Sequence, residues 1–199
     1  MFSTASLGFG LAGRIAAEHR VRDAMQAQGI AVTELRAMPM PLNTLLWRVI
    51  AKTPDGHYYE AVSSWFDRVP PESLRQPLNL DVGQALAGVP LHERLRWFTD
   101  DWLRYDVMDD ALVVTDLRMG MAGHYNFRFK MAERDPDGAW RAVTPSSWPG
   151  ERGGWAELKL VLARILHAQP PLPLAQWAEK AAPSAVSYTH LTLPTILLV

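Results

Sequence analysis

Apolar residues recur along the chain with two different periods. Leu7, Leu11 and Ile15 fall at i+4 spacing and predict one face of a helix that ends near a glycine C-cap at Gly29. Residues 32–38 read as a short strand, and Pro39-Met-Pro41 then excludes a central strand. From Leu45 onward the pattern shortens. Residues 45–52 and 57–66 predict two strands around Pro54-Asp55-Gly56, where proline presets φ and glycine accepts a positive φ. The same turn chemistry at Asp135-Pro136-Asp137-Gly138 separates a strand over 124–133 from one over 140–143. In the first of these, Tyr125, Phe127, Phe129 and Met131 share one face, and Asn126, Arg128 and Lys130 share the other. That alternation marks a half-buried antiparallel strand. Residues 102–107 and 112–119 predict a third hairpin through Met108-Asp109-Asp110. Residues 81–87 and 91–98 read as short helices between hairpins. Residues 155–168 form a helix with Leu158, Val161, Leu162 and Ile165 on one face, and a polar helix follows near 177–182. Six or seven strands in successive hairpins imply antiparallel pairing. The expected class is α+β: an antiparallel sheet built from hairpins, with an N-terminal helix, a short helical insert and C-terminal helices.

Composition narrows this picture modestly. The chain has 199 residues, 48% of them apolar, and a net charge of -1. That balance excludes a disordered chain and carries no basic excess for nucleic acid, so no nucleic-acid partner is expected. With no cysteine there is no disulfide, no zinc–thiolate site and no thiol nucleophile. Four segments follow: a helix over 1–29, an antiparallel α+β domain over 30–148, helices over 149–185, and a tail over 186–199.

Both ends are unusual. Residues 1–13 carry no charge, too few to span a bilayer, which takes about 20 apolar residues. Two readings stand. One is an amphipathic core helix. The other is the trailing end of a membrane helix, with Arg14, Arg20 and Arg22 at its cytoplasmic boundary as the positive-inside rule prefers. At the other end, Val186-Ser-Tyr-Thr-His-Leu-Thr-Leu-Pro-Thr195 resembles a translated sequencing adapter, so 186–199 is set aside from fold and function.

Candidate chemistry is sparse. The six histidines are scattered singly, no HExxH or HxH occurs, and His92-Glu93 fits a solvated helix face. Gly8-x-Gly10-x-x-Gly13 has no strand before it and does not read as a dinucleotide fingerprint; small residues in a helix packed tightly on other helices explain it. No metal site is expected in this chain. Asp116 and Arg118 at i, i+2 on a strand share a face, where they can hold a polar ligand or one another. Asp100-Asp101 is a second acidic pair at a helix-to-strand junction, and Asp109-Asp110 is a turn tip. Trp148 and Trp155 flank Gly/Pro-rich chain and are candidates for lining a groove or touching a membrane interface.

Three stretches carry a resemblance. They are Pro39-x-Pro41-Leu-Asn43-Thr-Leu-Leu46-Trp47-Arg48-Val49, then Tyr58-Tyr59-Glu60, then Val113-Val-Thr115-Asp116-Leu-Arg118-Met119-Gly120 followed by Tyr125-x-Phe127-x-Phe129. In this order they resemble the C-terminal soluble part of the bacterial membrane-bound, metal-dependent hydrolases, the YdjM-like inner-membrane proteins. The likeness spans residues 1–145, with Leu42 where an aromatic is expected. It implies a cytoplasmic accessory domain at the inner membrane, attached through the N-terminal segment. The divalent metal and its ligands would belong to a membrane half that precedes this sequence, and the chain would be cut at both ends. The residues carried over as binding candidates are Asn43, Arg48, Glu60, Asp116 and Arg118, with no catalytic residue assigned. The alternative is a non-catalytic binding or interaction module; a weaker third reading is a free-standing enzyme using Asp116 and Arg118.

Arg48 is expected to share a strand face with Leu46 and Ile50, and Arg48 or Arg118 is expected to pair with Asp116 or Glu60, both motifs lying in one antiparallel sheet. An arginine buried among aliphatic residues needs such a partner. Truncation after Ala185 is expected to change stability by less than about 0.5 kcal/mol in thermal melts. A larger drop would show that residues 186–199 belong to the fold.

Overall fold

Strands form where tight turns fold the chain back on itself, and the described residues hold eight. The computed structural model describes residues 2–150 and 153–181, the side chains of 2–6 and 181 apart; the tail at 186–199 lies outside these. The strands are β1 (Glu34–Pro39), β2 (Leu46–Lys52), β3 (His57–Ser64), β4 (Glu72–Pro77), β5 (Leu103–Met108), β6 (Ala111–Asp116), β7 (Arg128–Arg134) and β8 (Trp140–Ser147). The helices are α1 (Phe2–Ala27), α2 (Leu80–Gly83), α3 (Pro90–Thr99), α4 (Trp155–Leu166) and α5 (Leu174–Ala181). The class is α+β as expected. The strands form two antiparallel meanders, β1-β2-β3-β4 and β5-β6-β7-β8, rather than one sheet. The insert of α2, a 3-10 turn and α3 separates them.

The turns explain the hairpins. Gly56 closes β2–β3 at a φ of 75°, and Gly138 closes β7–β8 at 82°. Between β5 and β6 the two-residue loop Asp109-Asp110 has φ of 48° and 58°, the pair of positive values that a type I′ turn requires. β4 is a strand that periodicity does not predict. Its sequence Glu-Ser-Leu-Arg-Gln-Pro has one aliphatic residue, which suffices because it is an edge strand that ends on proline. The alternation over 124–133 is only partly realised. β7 starts at Arg128, Phe127 is exposed, and Arg128 is buried. A register shift between Lys130 and Ala132 then buries Met131 and Ala132 in succession.

α1 lies on the outer face of the first sheet. Its buried stripe is Ala17, Val21 and Met25, packed with Trp47, Val49 and Ala61. At Gly13 an added Cβ would meet the indole nitrogens of Trp47 and Trp65 at 2.9 Å. The small residue therefore serves a helix-on-sheet contact, not a helix-on-helix one. Leu7, Leu11 and Ile15, the expected apolar face, are exposed instead, so the core-helix reading fits only the second half of α1. Among the described residues no helix is long and apolar enough to cross a membrane.

The insert covers one face of the second sheet through Leu86, Leu103, Tyr105 and Leu112. Between the sheets lie Ile50, Tyr58, Leu78, Trp102, Leu117 and Tyr125. α4 and α5 close the remaining end through Val161, Leu174 and Trp177 against Leu46 and Val62. α4 is fastened by Arg164, whose guanidinium reaches Glu72 at 2.9 and 2.8 Å and Asp67 at 2.7 and 2.8 Å. The Arg164 and Asp67 side chains are 1% and 2% exposed. Arg164→Met, which leaves two acids without their cation, is expected to cost about 3–5 kcal/mol in urea unfolding. A loss under about 1 kcal/mol, as for exposed pairs, would show that the cluster is solvated.

Candidate functional site

The β6–β7 connection is the segment that makes a site. Residues 117–127 leave the second sheet and run between the two sheets, carrying Leu117, Ala122 and Tyr125 into the interior. There they meet the inner face of the first sheet. β2 puts Arg48 on that face with Leu46 and Ile50, and β3 adds Tyr58 and Glu60, which stands opposite Ile50.

Arg48 and Glu60 form a buried fork, 2% and 0% exposed. Arg48 Nε lies 2.9 Å from Glu60 Oε1, and Nη2 donates to Oε2 at 3.0 Å. Nη1 donates to the Leu117 carbonyl at 2.6 Å, and Nη2 also reaches the Tyr125 hydroxyl at 3.3 Å. Glu60 in turn accepts the Ala122 backbone N–H and the Tyr125 O–H, both at 2.8 Å. The Tyr125 and Tyr58 oxygens are 2.9 Å apart. Arg104 donates to Tyr58 at 3.4 Å and to Gln76 at 2.6 Å, and it pairs with Asp106 at 2.9 Å. One chain of polar contacts thus crosses from sheet to sheet.

Protonation follows from these contacts. Burial works against the Glu60 carboxylate, but the Arg48 charge and the three sets of donors outweigh it and hold Glu60 below the usual glutamate range. Burial also opposes the Arg48 cation, and Glu60 with Tyr125 and Tyr58 more than offsets it. Tyr125 is pushed well above its ordinary value by burial and by the adjacent Glu60. Near neutral pH the acid stays ionised and both partners keep their protons, so the cluster holds geometry rather than moving a proton.

The other candidates are placed close by. Asp116, at the end of β6, accepts Arg118 Nε at 3.0 Å, Arg118 Nη2 at 2.8 Å and the Arg118 backbone N–H at 2.9 Å. Arg118 also donates to the Phe98 carbonyl at 2.8 Å. Asp116 and Arg118 therefore hold one another. Asn43 shapes the Pro39–Leu46 turn: its side-chain oxygen accepts the Leu45 and Leu46 N–H groups at 3.0 and 2.7 Å, and its amide donates to the Pro41 carbonyl at 3.0 Å. The expected pairing of Arg48 with Glu60 is present, as is that of Arg118 with Asp116. They sit in different sheets, joined by the Arg48–Leu117 bond.

An open cavity of about 640 Å³ lies against this cluster. Arg48 and Arg118 stand in its wall with Met38, Met40, Met119 and Met121; His124, Glu157 and Val161 complete the far side. His124 packs edge-on against Trp177, with ring centroids 5.4 Å apart, and Glu157 accepts the Gly154 N–H at 2.8 Å. Sequence reasoning did not single out the methionines, His124, Tyr58 as a bonding partner, Arg104 or Arg164. A signal for the first was present: Met38-Pro-Met40 and Met119-Gly-Met121 are matching M-x-M pairs that straddle the edges of two motif stretches. Trp155, expected as a groove residue, is exposed at the start of α4. Among the described residues no three His, Cys, Asp or Glu side chains are grouped to hold a metal ion.

A scan against protein-family models finds no match to this chain, and searches of the curated proteins and of the solved structures find none either.

Arg48→Met is expected to lose about 3–5 kcal/mol of stability, because Glu60 is left buried without its cation. The pH dependence should also reverse. In the parent, the depressed Glu60 contributes fully above its unfolded value near 4.5 and loses that contribution as pH falls through the lower folded value. In Arg48→Met, burial alone raises Glu60, so the variant should lose stability as pH rises from about 5 to about 8. Urea titrations at several pH values check both; parallel curves for the two proteins would refute the buried-pair account.

Proposed function

We propose that this domain is a non-catalytic binding module of a membrane-associated protein, and that its cavity takes the apolar part of an uncharged small ligand. The observation that carries the reading is convergence. Residues of the first and third motif stretches, 70 or more positions apart (Pro39, Pro41 and Arg48; Arg118, Met119 and Gly120), line one cavity. Its volume falls within the range of about 300–1,000 Å³ typical of small-molecule pockets. Four thioethers give it an adaptable apolar lining. The two arginines in its wall are each neutralised by a carboxylate, so a charged ligand gains no free counter-ion from them. The protonation states of Glu60 and Tyr125 support binding over acid–base chemistry.

A second reading concerns the whole protein. In it the module shapes or covers the active site of a membrane-bound, metal-dependent hydrolase at a bacterial inner membrane, the divalent metal being held outside these residues. The motif resemblance supports it, and so does the start of α1, where Leu7, Leu11 and Ile15 stand in the open as a contact for apolar surroundings.

The neutral fluorophore N-phenyl-1-naphthylamine tests the binding reading. Its emission is expected to rise saturably with the folded protein and to be reversed by 1-decanol. Met119→Arg, at the half-exposed rim, should weaken the probe by about tenfold, or about 1.4 kcal/mol. Leu7→Ser with Leu11→Ser should leave its affinity unchanged. No saturable rise, or equal binding by Met119→Arg, would overturn the proposal.

A further inference from the structure

A second cavity, of about 430 Å³, lies on another part of the molecule, between the β2–β3 turn and the helical insert. It shares no residue with the cavity described above, and its polar character is opposite. Its floor is made of buried side chains: Tyr105, His92, Leu78 and Lys52. The first two neutralise one another's polarity. His92 Nδ1 lies 3.0 Å from the Leu86 carbonyl, which only accepts, so Nδ1 carries the hydrogen. Nε2 is then the acceptor for the Tyr105 hydroxyl at 2.9 Å. Burial lowers the His92 pKa and keeps the ring uncharged.

Lys52 is therefore the one full charge on the floor. Its ammonium has three donors. One meets Glu34 at 3.1 Å, and the group lies 4.5 Å from the centre of the Trp102 ring. The Lys52 side chain is 10% exposed, whereas Glu34 is 51% exposed and at the mouth. A buried cation with one exposed counter-ion has donor capacity left for an acceptor that enters the cavity. The rim has the opposite sign. Glu34, Glu93 and Asp101 are acidic and exposed, and Arg96 is the single cation among them, held to Asp101 at 2.6 Å and Glu93 at 3.4 Å.

We infer that this cavity binds a small zwitterion, an amino carboxylate whose carboxylate goes inward to Lys52 and whose ammonium stays among the rim acids. A simple anion would pass a rim that sets three carboxylates against the one arginine, and a simple cation would meet Lys52 at the floor. A molecule with both charges at opposite ends satisfies the two layers together. The volume leaves room for an aliphatic spacer between them, along Leu78, Leu80 and Ala87.

Calorimetric titration of the full chain with ω-amino carboxylates, from glycine to 6-aminohexanoate, tests this. At least one member is expected to bind saturably, and the matched alkyl carboxylate and alkylamine at least tenfold more weakly. Lys52→Met should abolish binding and Lys52→Arg should retain it. The exposed rim variant Glu93→Gln keeps the test alive should Lys52→Met fail to fold. It should weaken the amino carboxylate several-fold and leave the plain carboxylate no weaker than with the parent. The inference fails if no member of the series binds, if the alkylamine binds as tightly as the zwitterion, or if folded Lys52→Met binds like the parent.

Discussion

The fork between Arg48 and Glu60 is the constraint on which the architecture rests. As an energy source a buried ion pair is poor, since removing two charges from water offsets much of their attraction. Its value here is positional. Apart from a long contact of Nη1 with the Met38 sulfur, the pair's further hydrogen bonds go to the Leu117 carbonyl, the Ala122 N–H and the Tyr125 hydroxyl, all from the β6–β7 connection. The first sheet thus fixes three points of a loop that belongs to the second. A slip of one residue in β2 would turn Arg48 toward α1, where Ala17, Val21 and Met25 provide no acceptor. Register, loop path and sheet docking are settled by the same two side chains.

The apolar cavity follows from that arrangement. Holding the loop at Leu117 and Ala122 places Met119 and Met121 across from Met38 and Met40, and α4 closes the gap from the third side. α4 is held in turn through Arg164 to Asp67, in the connection after β3, and to Glu72, the first residue of β4. Arg48 and Arg164 divide the labour: one joins sheet to sheet, the other joins helix to sheet. Each brings neutralised charge to the interior, and the open space between them is left to thioethers.

Much of this was legible from local pattern. Turn chemistry at Pro54-Asp55-Gly56 and around Gly138 located two hairpins, and the face argument on β2 set Arg48 among aliphatic residues with Glu60 and Asp116 as candidate partners, of which Glu60 is the one it meets. Other features left no local trace. β4 is hydrophilic because an edge strand needs few apolar contacts, and the division into two meanders depends on which strands stop pairing, which periodicity does not encode. The strand expected from His124 begins four residues later, at Arg128, because Tyr125 is drawn out of the sheet toward Glu60. The apolar face of α1 was assigned to Leu7, Leu11 and Ile15, when the contact with Trp47 and Trp65 selects the smaller Gly13 and Ala17. Asp116 and Arg118 were rightly seen as neighbours. Their mutual hydrogen bonds turn a ligand candidate into a brace.

The meander topology also orders the way the chain comes together. Every strand in each sheet pairs only with its neighbours in sequence. The entropy lost in closing each hairpin is therefore that of a short loop, apart from the β6–β7 connection. By contrast, Arg48 and the carbonyl it binds are 69 residues apart. Short-range closures are fast and long-range ones slow. The two halves are thus built to assemble separately, each with its own helical cover, and the polar joint is the last seam to close. Until it does, water satisfies Arg48 and Glu60. Its departure is the step that turns two independent sheets into one molecule.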